Sequence, residues 1–267
     1  MIEIKDFLKL AINAAVAGGK EIMSIYEKFD GQIDYKSDNS PLTIADKNAH
    51  TSITKILKET NLPILSEEGN DIPYEKRKNW SYFWLVDPLD GTKEFIKHND
   101  EFTVNIALIH KNMLVAGVVL LPVKKEIYLA NVTIAGAFYC KLDTLNHPPD
   151  INYIHNHAIK LPVTQKNKTY RVVASRSHMN EETMKFIRNL EKKYNDIETI
   201  TTGSALKICL VAHGKADIYP RFGPTMEWDT AAGHAIILGA GKKIVKTDGT
   251  PLSYNKGSLY NPYFIVK

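Results

Sequence analysis

Asp87 and Asp90 stand three positions apart in WLVDPLDGTKEF, Trp84 to Phe95, at the end of an apolar run. Pro88 and Leu89 separate them, and Gly91-Thr92 follows. A turn has use for the proline and the glycine but not for two carboxylates. Two more acidic sites lie elsewhere in the chain, Glu67-Glu68 in PILSEEG and Asp229 in EWDTAAG. Each has a plain reading by itself: a solvated loop for SEEG, a tight turn for DPLDG, a helix cap for Asp229. Together they make an all-oxygen donor set, which suits a hard cation. Magnesium takes oxygen ligands in near-octahedral geometry and usually keeps waters and phosphate oxygens in its shell. In this reading a strand fixes Asp87, a turn fixes Asp90, and Pro88 removes backbone freedom between them. The carbonyl of Leu89 becomes a further ligand. Gly91 and Thr92 open a helix, whose free N–H groups favour an anion.

A magnitude decides whether phosphate chemistry here needs the metal. Uncatalysed phosphate-monoester hydrolysis is so slow that its enzymes reach roughly 10²¹-fold acceleration. General acid–base catalysis supplies only about 10²- to 10⁴-fold. Bare paired carboxylates would also repel a dianionic ester. With two magnesium ions, the same acids can clamp both the attacking and the leaving oxygen.

The elements that must carry these residues follow from periodicity. Residues 3–29 read as a long amphipathic helix; LKLAINAAVAGG imitates a signal peptide, but Glu3, Asp6 and Asn13 spoil that reading. Ser40-Pro41 marks the start of a second helix over 41–59. PILSEEG is a short strand ending in acids, and YFWLV (82–86) a buried strand. TVNIALIH, LVAGVVLLP, EIYLA and TIAGAFYC read as an antiparallel meander from Phe102 to Cys140. The polar stretch 143–168 is the best boundary. Beyond it, strand and helix signals alternate through YRVVAS, EETMKFIRNLEKK, IETIT, SALKICLVAH, ADIYP and DTAAGHAIILGA, which points to an α/β layer. Two domains are therefore expected, 1–145 of α+β type with most metal ligands and 146–267 of α/β type with the last one.

Composition narrows the function classes. The net charge of +4 comes from 34 basic and 30 acidic residues, too small an imbalance for a nucleic-acid binder. Cys140 and Cys209 are the only cysteines in 267 residues, which argues for a reducing compartment. No apolar run is long enough to span a membrane.

Glu67-Glu68, DPLDGT and WDTAAG, in this order and separation, resemble the motifs of the inositol monophosphatase superfamily of lithium-sensitive, magnesium-dependent phosphatases. The resemblance covers essentially the whole chain. Within the superfamily, SDNSPLTIAD, LSEEG, WLVDPLDGTKEFI, SRSH, GSALK and YPRFGPTMEWDTAAGHA are similar to the CysQ type, 3′(2′),5′-bisphosphate nucleotidases that convert adenosine 3′,5′-bisphosphate to AMP. Inositol monophosphatases usually read GTTNF where this chain reads GTKEF, which favours the nucleotide substrate. The resemblance implies a layered α/β/α/β/α sandwich. It also implies that Glu67, Asp87 and the Leu89 carbonyl hold one magnesium, that Asp87, Asp90 and Asp229 hold a second, and that a third ion binds more weakly. Catalysis then falls to Glu67, Asp46 in TIAD, and Thr92. Asp46 accepts from the Thr92 hydroxyl, which orients and deprotonates a metal-bound water for in-line attack, with no phospho-enzyme. Without the resemblance, Asp46 is a charge on an exposed helix face.

His178, Ser204, Lys207 and Arg221 match positions that contact the nucleotide, with Glu67, Leu89, Asp90, Gly91, Thr92 and Asp229 also facing the substrate. Lys207 and Arg221 suit a second phosphate, since arginine presents a planar fork to phosphate oxygens. Taken singly, Arg221 reads as a surface ion pair and His178 as a capping or surface residue. One rival is an inositol or sugar monophosphatase, which would not need these basic groups. Another is a catalytically silent nucleotide-binding regulator, which would not need Asp46 or Thr92. The expected protein is a cytoplasmic monomer or homodimer acting on a small molecule, with no nucleic-acid partner and no integral membrane contact. Phosphoadenosine phosphosulfate is a further candidate substrate. Some CysQ-type relatives sit peripherally on the bacterial inner membrane, but no anchor is visible here.

Overall fold

A computed structural model describes residues 4–29, 40–134, 136–163, 169–177 and 179–267. Helix α1 (Ile4–Tyr26) buries Ala11, Ile12, Ala15, Val16 and Ile22 along one stripe. Helix α2 (Pro41–Leu57) starts where the Ser-Pro signal places it, with the Ser40 hydroxyl accepting from the Thr43 N–H at 3.3 Å. There follow β1 (Ile64–Ser66), α3 (Tyr74–Arg77), β2 (Tyr82–Asp90), α4 (Thr92–Ile96), β3 (Thr103–His110), β4 (Met113–Leu121), β5 (Glu126–Asn131), β6 (Gly136–Lys141), α5 (Ile151–His157) and β7 (Ile159–Lys160). Among the described residues β1 to β7 form one sheet in chain order, parallel between β1 and β2 and antiparallel elsewhere. The meander read from the sequence is thus its middle. The polar stretch also holds structure, because α5 and β7 lie in it and β7 pairs with β6.

The remaining elements are β8 (Tyr170–Ser175), α6 (Glu181–Glu191), β9 (Ile197–Thr202), α7 (Leu206–His213), β10 (Tyr219–Arg221), α8 (Glu227–Gly239), β11 (Ile244–Lys246) and β12 (Phe264–Val266). Strands β8 and β9 pair in parallel, while β12 lies antiparallel between β10 and β11. The Val173 N–H donates to the Ile218 carbonyl at 2.8 Å and ties the two sets together.

Both faces of the large sheet are covered, which explains why its strands read as continuous apolar runs. Trp84, Val86, Ile106 and Val118 pack with α1 and α2. Phe83, Leu85, Ala107 and Val119 face the other way, into a core shared with α7 and α8. Beyond that second helical layer come β8 and β10, and α6 closes the far side through Ile187. The layers run α/β/α/β/α, as expected.

One glycine sets the distance between sheet and helix. A Cβ at Gly117 on β4 would lie 2.5 Å from the Ala232 carbonyl oxygen and 2.7 Å from the Ala235 methyl. Helix α8, which carries Asp229 in its first turn, can rest on the sheet because that Cβ is missing.

Candidate active site

The expectation of a turn at DPLDG is corrected by the backbone. Strand β2 runs on through Asp90, and its register with β3 shifts between Asp87↔Asn105 and Asp90↔Thr103. Residues three apart on a regular strand point to opposite faces. The one-residue bulge adds the missing step and brings both aspartates to one side. Pro88 sits within the bulge, where a missing N–H costs the ladder nothing. Leu89 packs into the core on the α1/α2 side, and its N–H donates to Asp87 Oδ1 at 3.1 Å.

Parallel pairing of β1 with β2 delivers Glu67. Its N–H donates to the Val86 carbonyl at 3.1 Å, one step beyond the last β1 residue. Asp229 arrives from the opposite direction at the start of α8. Its Oδ2 accepts from the Met226 N–H at 2.9 Å, so it caps the helix and keeps a second oxygen for the cleft. Glu67, Asp87 and Asp229 can each bring one oxygen within 4.8 Å of the others.

These acids repel one another, and their protonation records it. Burial, then the charges of Asp90 and Glu68, push the Glu67 carboxyl up to about 7. Asp229 is raised to about 7 by burial and Asp90, against the Met226 N–H. Asp87 lies well above the usual carboxylate range, through burial and then Asp90, Glu67 and Asp229. Burial also raises Asp90, which Lys207 and the Asn105 amide partly offset. Crowded carboxylates with oxygen donors only are what a divalent cation would neutralise, so these residues fit one. On α2, Asp46 is raised to about 8 by burial and by Glu68 and Glu67, and its Oδ1 is buried with no hydrogen-bond partner.

A cavity of about 300 Å³ gathers most of the residues read from the sequence. Glu67, Asp87, Leu89, Asp90, Gly91, Thr92, Ser204, Lys207, Arg221 and Asp229 all line it. Asp46 does not, and His178 lies outside the described residues. Gly91 begins α4 with φ of 101°, so only glycine fits without strain, and its Cα faces Phe102 and Ser204. Ser204 itself has φ of 47° and lies just before α7, its hydroxyl accepting from the Leu206 N–H at 3.4 Å.

The basic side of the cavity is also buried. Lys207 is lowered to about 8 by burial, against the pull of Asp90, and its ammonium lies 5.8 Å from the Tyr219 ring centroid. Arg221 donates to the Pro224 carbonyl at 2.8 Å, while its Nε is buried and unpartnered. Sequence reasoning missed Glu94, Ser175 and Tyr219, which line the same space. Glu94 had a signal, the acid in GTKEF; Ser175 and Tyr219 end or begin apolar strands and had none.

The chain matches the model of the inositol monophosphatase family over residues 3–262. It belongs to that family. The 3′(2′),5′-bisphosphate nucleotidase CysQ of Salmonella typhimurium is 42% identical, over 98% of each chain. That of Escherichia coli K12 is also 42% identical, over 97% of this chain and 96% of the other. The crystal structure of CysQ from Bacteroides thetaiotaomicron superposes with a TM-score of 0.90 at 49% identity, covering 97% of this chain and 95% of that one. Mycobacterium tuberculosis SuhB, at 22% identity and a TM-score of 0.69, shares the fold.

Proposed function

We propose that the chain is a magnesium-dependent phosphatase that removes the 3′-phosphate of adenosine 3′,5′-bisphosphate to give AMP. The observation that carries this reading is that one cavity is lined by the acids Glu67, Asp87, Asp90 and Asp229 and by the bases Lys207 and Arg221. A monophosphate needs only the acidic half. A bisphosphate also needs a grip on the phosphate that does not react. The relatives named as bisphosphate nucleotidases support the same substrate.

Glu67, Asp87 and the Leu89 carbonyl would hold one magnesium, and Asp87, Asp90 and Asp229 a second, with a third, weaker ion near Glu67. The bound ions would supply charge neutralisation at the phosphate and a water acidic enough to attack at neutral pH. Asp46 would accept the Thr92 hydroxyl proton as Thr92 Oγ1 takes a proton from the attacking water. The water attacks phosphorus in line, the bond to the ribose 3′-oxygen breaks and that oxygen takes up a proton from solvent water, with no phospho-enzyme. Lys207 and Arg221 bind the 5′-phosphate, and Ser204 and His178 contact the nucleotide beside it. Remote binding energy then orients the reacting phosphate.

The work divides near residue 145, with most metal ligands before it and the recognition residues and Asp229 after it. A cytoplasmic location agrees with two free, buried cysteines. Among the described residues, no helix is long and apolar enough to cross a membrane. Phosphate release from adenosine 3′,5′-bisphosphate, AMP and inositol 1-phosphate, measured in parallel with and without magnesium, tests the reading. Release from the bisphosphate alone, and only with magnesium, is expected. A preference for inositol 1-phosphate, or full turnover after chelation of metal, overturns it.

A further inference from the structure

Two charged residues outside the cavity hold one of its walls. Arg176, just after β8, donates from Nε and Nη2 to the two carboxylate oxygens of Glu101, both at 2.9 Å. Glu101 lies just before β3, with 13% of its side chain exposed. The same carboxylate accepts the Gly203 N–H at 2.9 Å. Arg176 also donates from Nη2 to the Thr201 carbonyl at 3.0 Å and from its backbone N–H to the Thr202 carbonyl at 3.2 Å. Three consecutive residues, 201 to 203, are therefore gripped by one ion pair.

The grip has a fixed post and a tight fit. The loop that presents Glu101 is anchored by the Tyr26 hydroxyl, which donates to Asp100 Oδ1 at 2.8 Å. A Cβ at Gly203 would lie 2.4 Å from Glu94 Cγ, so the segment presses against Glu94. Glu94 in turn accepts from the Ser177 hydroxyl at 2.8 Å. The next residue is Ser204, held in the left-handed region, and α7 with Lys207 follows. Neither Glu101 nor Arg176 lines the cavity.

We propose that Glu101 and Arg176 are positioning residues whose clasp sets segment 201–204 so that Ser204 and Lys207 meet the unreacted phosphate of a nucleoside bisphosphate. This rests on the reading of the cavity given above. The metal ligands on β2 take their register from sheet pairing, and of them Asp90 also meets this segment, through the Ala205 N–H and Lys207. Loss of the clasp therefore falls hardest on a substrate that carries the second anion.

The test compares wild type with Glu101→Ala and Arg176→Ala, and with the conservative Glu101→Gln and Arg176→Lys, at saturating magnesium. Substrates are adenosine 3′,5′-bisphosphate and adenosine 3′-monophosphate. A charge-assisted contact is worth roughly ten- to hundredfold, so the alanine variants should lower kcat/KM for the bisphosphate about tenfold. The loss for the monophosphate should be much smaller, and the conservative variants should recover part of the loss on the bisphosphate. Hydrogen exchange at the Gly203 amide should quicken in Glu101→Ala. Equal losses on both substrates, or an unchanged Gly203 amide, overturn the proposal. A wild type that does not prefer the bisphosphate overturns the substrate reading instead, and the amide exchange then judges the clasp by itself.

Discussion

Asp87 on β2 and Asp229 on α8 come from distant parts of the chain, yet each can bring a carboxylate oxygen within 4.8 Å of the other and of Glu67. Sheet pairing places one and helix packing the other, so neither can retreat from the repulsion. Removing a charge should relieve the metal-free protein. Asp87→Asn keeps the acceptor for the Leu89 N–H and should melt higher than wild type in chelator. Magnesium should raise wild-type stability by about 2.7 kcal/mol at a hundredfold excess over its dissociation constant, and raise the variant's far less. Activity should fall by orders of magnitude. Thermal melting with and without magnesium checks this, and an equal magnesium-induced rise in both proteins would show that Asp87 is not a ligand.

Gly117 decides how closely α8 approaches the sheet. A valine there would drive its side chain into the Ala232 carbonyl and the Ala235 methyl. Overpacking of this kind costs about 1–3 kcal/mol. The helix must also shift, and Asp229 shifts with it. Gly117→Val should therefore lower the melting temperature and raise the magnesium concentration needed for half-maximal activity. A destabilised variant with wild-type magnesium dependence would detach Asp229 from the packing of α8.

The long elements were legible because their periodicity has a direct physical cause. Strand β3 falls on TVNIALIH residue for residue, and Ser40 caps α2 where the Ser-Pro pair predicted it. The acidic residues were legible only in combination: each has a plain use by itself, and it is as one oxygen donor set that they share a cavity. What escaped was set by tertiary pairing. The bulge at Asp87–Asp90 looks like a turn in the sequence, since Pro88 lies within it and Gly91 follows it, and only the partner strand β3 shows that the ladder continues. The two-residue strand β7 has no pattern of its own and exists because β6 offers it an edge. The Glu101–Arg176 pair joins charges that look like solvated surface when read singly.

A buried histidine on α8 should set part of the acid response. His234 lies 4% exposed, its Nδ1 2.9 Å from the Tyr254 hydroxyl. Burial lowers it from the usual value to about 4. Unfolded, it titrates near pH 6.5, so between those values the unfolded chain binds a proton that the folded one refuses. Its contribution is full above about pH 6.5 and is lost as the pH falls towards 4. Wild type should lose roughly 2–3 kcal/mol relative to His234→Gln between pH 7 and 4.5. Urea unfolding of both proteins at the two pH values checks this. A difference that stays constant would mean that His234 titrates alike folded and unfolded.

Arg221 should separate recognition from chemistry. The residue is 8% exposed, one guanidinium nitrogen is spent on the Pro224 carbonyl, and Nε is buried without a partner. A buried donor left unpaired is costly, and the 5′-phosphate of a bisphosphate would supply the missing acceptors to this face of the side chain. Charge-assisted contacts are worth about 1.5–3 kcal/mol each, or roughly ten- to hundredfold. Arg221→Ala should therefore lower kcat/KM for adenosine 3′,5′-bisphosphate by about that factor. For adenosine 3′-monophosphate, which lacks the second anion, the loss should be much smaller. A misfolded or metal-free variant would lose both substrates alike, so the ratio of the two losses is the measurement that matters. Equal losses would make Arg221 a structural residue held for Pro224, and the grip on the second phosphate would then rest on Lys207.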